Sequence, residues 1–140
     1  MSAENIELHR RLFEAFNARD LEAFMAYCDP KIEFHSTFAD VGGGVYHGHD
    51  GLRSWHRDFE ETWAEIRLDA EAYFDFGEHT LAFYVAKGRG RQSGVQVAQS
   101  AAHVAKWRAG LCVQARAYVH REDAVEHLGI SEDALEPIAP

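Results

Sequence analysis

The residues of this chain best suited to proton chemistry are histidines, and one of them, His103, interrupts a stretch that otherwise reads as strand. From Val95 to His120 the sequence runs VQVAQSAAHVAKWRAGLCVQARAYVH, two long strands joined by a tight turn at Arg108-Ala109-Gly110. Side chains alternate across a strand, so Gln99, His103 and Trp107, spaced by four, share a face with Val95, Val97, Ala101 and Ala105. A mostly apolar face carrying a few polar groups is how ligand pockets are lined. An imidazole in such a place can donate a hydrogen bond or act as general acid or base, because its ordinary pKa of about 6.5 is easily moved to either side of neutrality.

Other candidates carry weaker signals. His56 and Trp55 lie in a helical stripe, Leu52, Trp55, His56, Phe59 and Trp63, where core packing is the commoner reason for such residues. The side that His35 faces depends on the register of one short strand, since a slip of one residue moves it across the sheet. His47, His49 and Asp50 include ordinary ligand types for zinc or iron, but they adjoin a glycine-rich loop at a helix start. Gly42-Gly43-Gly44 lacks the lysine and hydroxyl residue of a phosphate-binding loop and reads as a mobile rim over Ala39 to Gly48. Cys28, read as helical, and Cys112, read as strand, form no CxxC pair and are expected to be buried reduced thiols. No metal and no cofactor are expected.

The elements that must position these groups follow from periodicity. Asn5 to Ala18 places Leu8 or His9, Leu12, Phe13 and Phe16 on one helical face, opposite Glu7, Arg10, Arg11 and Glu14. Asp20 is a natural N-cap for a second short helix bearing Leu21, Phe24, Met25 and Cys28, stopped by Asp29-Pro30. Lys31 to Phe38 alternates as a strand with Ile32, Phe34 and Ser36 on one face. A third helix begins at His49 or Asp50 and runs to about Trp63. Strands follow at Ile66 to Phe76 and Thr80 to Arg89, then come the two opening strands and a short helix from Arg121 to Leu128, ended by Gly129. Helices first and consecutive hairpins afterwards make this an α+β fold, with three helices on one strongly curved, mostly antiparallel sheet enclosing a conical cavity. Residues 1–140 form a single domain, with a core over about 5–129 and a polar tail over 130–140.

Composition sets the outer limits. Of 140 residues, 46% are hydrophobic and 26% charged, as expected for a folded water-exposed domain rather than a disordered or membrane-embedded one. Lys plus Arg number 14 against 23 Asp plus Glu, a net charge of −9 that repels a phosphate backbone, so no nucleic-acid partner is expected. No stretch reaches the roughly 20 apolar residues of a spanning helix, and MSAENIELHRR lacks a signal-peptide architecture, so the expected address is the cytoplasm, without membrane attachment.

Four segments together, FNARDLEAFMAYCDPKIEF, GHDGLRSWHRDFEE, RGRGRQSGVQV and WRAGLCVQARAYVHREDAVEHLG, resemble the NTF2-like superfamily and in particular its SnoaL-like, polyketide cyclase-like branch. The similarity spans about Asn5 to Gly129 and implies a cone-shaped α+β domain, commonly a homodimer through the outer sheet face. The fold hosts isomerases, cyclases, dehydratases and non-catalytic binding proteins, so fold alone does not assign chemistry. Aligned through RAYVH, His103 stands where ketosteroid isomerases, similar in fold, keep a protonated aspartate that donates to the substrate oxyanion. Their general-base aspartate falls near Phe34, an apolar ring here. The acid/base aspartate of SnoaL-like cyclases falls at His120. The resemblance also places a Gly-His at the start of the third helix without metal.

Two functional readings follow. In the first, Leu12, Phe16, Phe34, Trp55, Phe59, Gln99 and His103, with Trp107 and Tyr118, surround a small hydrophobic carbonyl or hydroxyl compound. If that protein is an enzyme, it performs isomerisation, cyclisation or dehydration by proton transfer, with His103 as principal acid/base or oxyanion donor and His120 or His56 assisting. In the second, the chain is a non-catalytic ligand-binding or dimerisation module; the missing acids at the inherited positions favour it.

Overall fold

A computed structural model of the protein describes residues 2–36, 44–131, 135 and 137. The elements run α1 (Ser2–Asn17), α2 (Leu21–Ala26), β1 (Cys28–His35), β2 (Val45–His47), α3 (Gly48–Thr62), β3 (Trp63–Phe76), β4 (His79–Gly90), β5 (Gln96–Arg108), β6 (Leu111–Tyr118) and α4 (Arg121–His127). The six strands form one curved sheet in the order β2-β1-β6-β5-β4-β3. Every neighbouring pair is antiparallel except β1 with β6, which run parallel and are separated in the chain by one helix and four strands.

Each face of the sheet has its own core. On the inner face, Leu12 of α1, Phe24 and Met25 of α2, and Leu52 and Trp55 of α3 pack over Ile32, Phe34, Ala105, Trp107 and Ala115. Beside them Ile6 and Phe13 of α1 cover Leu68, Tyr73, Ala82, Tyr84 and Ala101. The outer face is smaller: Ala124 of α4 sits over Phe74, Leu81, Ala102, Val104 and Tyr118. Burying side chains of this size contributes about 1.5–3 kcal/mol each, which is why the periodicities above locate the helices so well.

Boundaries shift where a backbone hydrogen bond outcompetes a side-chain pattern. Cys28, expected in the second helix, instead opens β1: Tyr27 caps α2 and its carbonyl accepts from the Cys112 amide at 2.8 Å, drawing the chain into the sheet. Pro30 is tolerated because the β1–β6 register shifts between Cys28 and Glu33, where its missing N–H is not required. Val45–His47, expected as loop, adds a short edge strand against β1. Trp63, expected as the last member of the α3 stripe, is already extended (φ −115°, ψ 128°) and begins β3, paired with Gly90. Residues 39–43 of the glycine-rich rim, residues 37 and 38 at the end of the expected Lys31 to Phe38 strand, and most of the tail lie outside the described residues.

The tight turn predicted after β5 is present. Ala109 (φ 53°) and Gly110 (φ 79°) both occupy the left-handed region, as a two-residue hairpin loop with primed geometry requires. That fixes the β5–β6 register and so brings Ala117 beside His103. β5 also outruns its neighbour: β6 pairs with Ala102 to Arg108 only, so Gln96 to Ala101 pairs with β4 alone, and residues 96–100 are exposed on both faces.

Candidate functional site

His103 stands on the inner face of β5, flanked across the sheet by Ala82 and Ala117. These two methyl side chains leave depth above the strand, and α1 fills it with His9. That residue is fully buried, at 0% exposure, and its Nε2 lies 2.9 Å from His103 Nδ1. On the far side of the same ring, His9 Nδ1 lies 2.7 Å from Thr80 Oγ1 on β4. Trp107 Nε1 donates to that hydroxyl at 2.8 Å. The four side chains thus form one continuous chain of hydrogen bonds within an otherwise apolar layer.

Aromatic rings enclose it. Phe13 stands edge-on to both histidines, at centroid distances of 5.1 Å from His9 and 5.4 Å from His103, and Tyr73 lies 5.4 Å from His9. A charged imidazole is poorly solvated in such surroundings, so burial pushes the pKa of His103 down to about 4. Burial, reinforced by the neighbouring His103, holds that of His9 well below the usual value. Both rings are therefore neutral near pH 7, able to exchange hydrogen bonds without carrying charge. His103 Nε2 has no hydrogen-bond partner among the described residues, yet His103 keeps 7% of its surface exposed.

The remaining predicted residues divide into two groups. Phe16, Trp55, Phe59 and His56 meet at a cleft among the three N-terminal helices, which has only about 10 Å³ of free volume, the room of one water molecule. Leu12 and Phe34 pack into the same cluster, the Phe34 ring 4.7 Å from Trp55. His103 does not line this cleft, and Phe13, Tyr73 and Tyr84 pack in the neighbouring core beside Ala82 and Ala101. His56 Nε2 is sealed from solvent and lacks a hydrogen bond, although Glu60 Oε1 approaches to 3.4 Å.

Three predicted residues stand apart from His103. Gln99 has the expected face but lies on the exposed run of β5, with its amide donating to the Ser100 carbonyl, because the helices end before they reach it. Tyr118 is on the outer face, packed with α4 and hydrogen-bonded to His127. His120 is exposed at the start of α4 and makes no side-chain capping bond. Trp107 sits at 2% exposure within the inner core, and its edge reaches a surface groove beside Asn5, Leu8 and Gly110.

Neither histidine of the His47-x-His49 pair is arranged with other ligands. His49 Nε2 donates to the Cys28 carbonyl at 2.9 Å, and His47 is an exposed residue whose side chain makes no capping bond. Among the described residues no group of three His, Cys, Asp or Glu side chains stands close enough to hold a metal.

Sequence reasoning missed His9 and Thr80 as site residues. His9 appeared only as one of two ways to complete the apolar stripe of α1, and Thr80 only as a strand start. A histidine on a helix face otherwise built of Ile6, Leu12 and Phe13 was the available signal, since a fully buried imidazole needs polar partners.

The comparisons agree with this fold. No curated protein matches the chain. Among solved structures, an NTF2-like protein of unknown function from Burkholderia pseudomallei superposes with a TM-score of 0.77 at 22% identity, covering 88% of this chain and 95% of that one. TerC co-crystallised with polyporic acid gives 0.76 at 19% identity, covering 88% and 96%. A candidate polyketide cyclase from Xanthomonas campestris pv. campestris gives 0.75 at 16% identity, covering 89% and 96%. Likeness at these identities is likeness of fold. The family model described as SnoaL-like domain matches residues 9–115, from the buried His9 of α1 to Ala115 of β6, and the chain belongs to that family.

Proposed function

We propose that this protein binds a small hydrophobic carbonyl or hydroxyl compound on the helix-covered face of its sheet, with His103 as the polar group that meets it. The observation that carries this reading is the buried hydrogen-bond chain from Trp107 through Thr80 and His9 to His103. Four apolar side chains would fill the same layer without desolvating two imidazoles, a hydroxyl and an indole N–H, so a polar chain here points to use rather than packing. That TerC was co-crystallised with polyporic acid supports a small organic ligand for this fold. As an enzyme the protein would carry out cofactor-independent proton-transfer chemistry of the isomerase, cyclase or dehydratase kind. His103 would be its principal group, and His56, at the neighbouring cleft, an assisting one. The exposed position of His120 leaves it the weaker assistant.

Thermal unfolding in the presence of polycyclic and terpenoid carbonyl compounds tests the binding reading. A true ligand at a hundred times its Kd adds about 2.7 kcal/mol of stability, and His103→Ala should abolish that gain. A panel that stabilises neither protein, or both equally, removes His103 from the site. The small cleft volume favours the alternative of a non-catalytic module. Its expected assembly is a homodimer through the outer sheet face, where Ala98 of the uncovered β5 run is exposed. Ala98→Glu should then halve the mass seen in sedimentation, whereas Val97→Glu, on the opposite face of the same strand, should not.

A further inference from the structure

We infer that Trp107, Thr80 and His9 are positioning residues that hold His103 in the tautomer carrying its proton on Nε2, so that His103 offers a hydrogen-bond donor and not a base. The reasoning follows the direction of each bond in the chain. The indole Nε1–H of Trp107 can only donate, so Thr80 Oγ1 must accept at 2.8 Å. That hydroxyl has one proton of its own to place. Thr80 is 0% exposed, and the acceptor its hydroxyl meets is His9 Nδ1 at 2.7 Å.

The opposite direction is possible but poorer. If His9 donated from Nδ1, Thr80 Oγ1 would accept twice and its own proton would be buried without an acceptor among the described residues. An orphaned buried donor shifts such an equilibrium by about tenfold or more. Thr80 therefore donates to His9 Nδ1, which leaves the His9 proton on Nε2. At 2.9 Å that proton is given to His103 Nδ1. His103 Nδ1 is then an acceptor, and its proton resides on Nε2, the nitrogen free of protein partners among the described residues.

One indole, four residues from His103 along β5 and linked to it through three hydrogen bonds, thereby sets the hydrogen-bonding character of the ring at the other end. A donor at Nε2 selects an oxygen lone pair, such as a ketone or the enolate derived from it, over a ligand group that must lose a proton to His103. In its resting form the ring cannot start a reaction by abstraction. The ligand class rests on the reading of His103 as the group that meets a small molecule; the tautomer does not, and it is measurable with no ligand present.

The test is a long-range proton–nitrogen correlation spectrum of nitrogen-15-labelled, ligand-free protein at pH 7.5, in which the two ring nitrogens report which is protonated. Both His9 and His103 should show a protonated Nε2 and an unprotonated Nδ1. Trp107→Phe frees Thr80 to accept from His9, so both rings should become mixtures of tautomers together. Thr80→Val, a nearly isosteric change made in case the indole variant unfolds, should release both rings in the same way, and Thr80→Ser should restore the wild-type pattern. A wild-type His103 protonated on Nδ1 overturns the inference, as does a pattern that Trp107→Phe and Thr80→Val both leave unchanged. Failure of the pocket reading would appear separately, as absence of thermal stabilisation by the polycyclic ketone 9-fluorenone with the tautomer pattern intact.

Discussion

The two faces of this sheet each carry a histidine cluster, and they differ in what surrounds the rings. On the inner face His9 and His103 are enclosed by α1 and the aromatic side chains of β3 and β4, and every described polar contact they make is to another buried group. On the outer face His127 at the end of α4 bonds Tyr118 and stands 6.5 Å from His79, at the edge of a thin cover. There too burial lowers both histidine pKa values, with Lys106 acting on His79 and Arg116 on His127 as lesser causes, but the rings remain partly in water. The same residue types give a closed hydrogen-bond chain on one side and an adaptable surface contact on the other. Depth of cover decides which, and it ranks the changes that would separate the two faces.

Trp107→Ala should have the largest effect. Truncating a buried tryptophan costs about 3–5 kcal/mol, and here it also removes the donor to Thr80. Urea unfolding measures it; a loss below about 1 kcal/mol would mean that the inner layer is far looser than its distances imply.

The second effect is a pH dependence that belongs mainly to the inner pair. Both inner pKa values are lowered in the folded state, so below the ordinary value of 6.5 the unfolded chain takes up protons that the folded one refuses. Stability from this source is complete above pH 6.5 and is lost as pH falls toward 4. Each histidine removes about 1.4 kcal/mol per pH unit within that window. Unfolding free energies at pH 7.5 and 5.5 should therefore differ by roughly 3 kcal/mol, and His127→Ala should leave most of that difference in place. If His127→Ala abolished it, the outer cluster would be the titrating one.

Tyr118→Phe comes third. It removes the phenolic partner of His127 while keeping the ring against Ala124, and hydrogen bonds of this exposure contribute about 0.5–1.5 kcal/mol. Thermal unfolding that shifts by more than the Trp107 variant would invert the ranking of the two faces.

Much of this was legible from the residues alone, for reasons visible in particular positions. The period-two pattern put His103, Ala105 and Trp107 on one face, and the structure has them there, since β4–β5 pairing runs without a bulge. The helix stripe put Leu12 and Phe13 inward for the same kind of reason. What could not be read was partnership across the chain: His9 meets His103 over a separation of 94 residues, and no local period encodes that. The tightness of the helix cleft was equally hidden, because it depends on how closely Phe16 and Phe59 approach, 5.2 Å between centroids, and not on which face they occupy.

Gln99 is the sharpest case of a face correctly read and an environment misjudged, and it gives the smallest predicted effect. Alternation places it on the His103 side of β5, but β6 stops opposite Ala102 and α1 covers the strand no farther than Ala101. Four positions along one strand thus separate a ring buried among aromatics from an amide in water. Gln99→Ala should change unfolding free energy by less than about 0.5 kcal/mol, and the ring nitrogens of His103 should not shift. A loss above about 1 kcal/mol that deepened with protein concentration would show the uncovered end of β5 to be buried in an assembly of two chains, with depth of cover again deciding what the residue does.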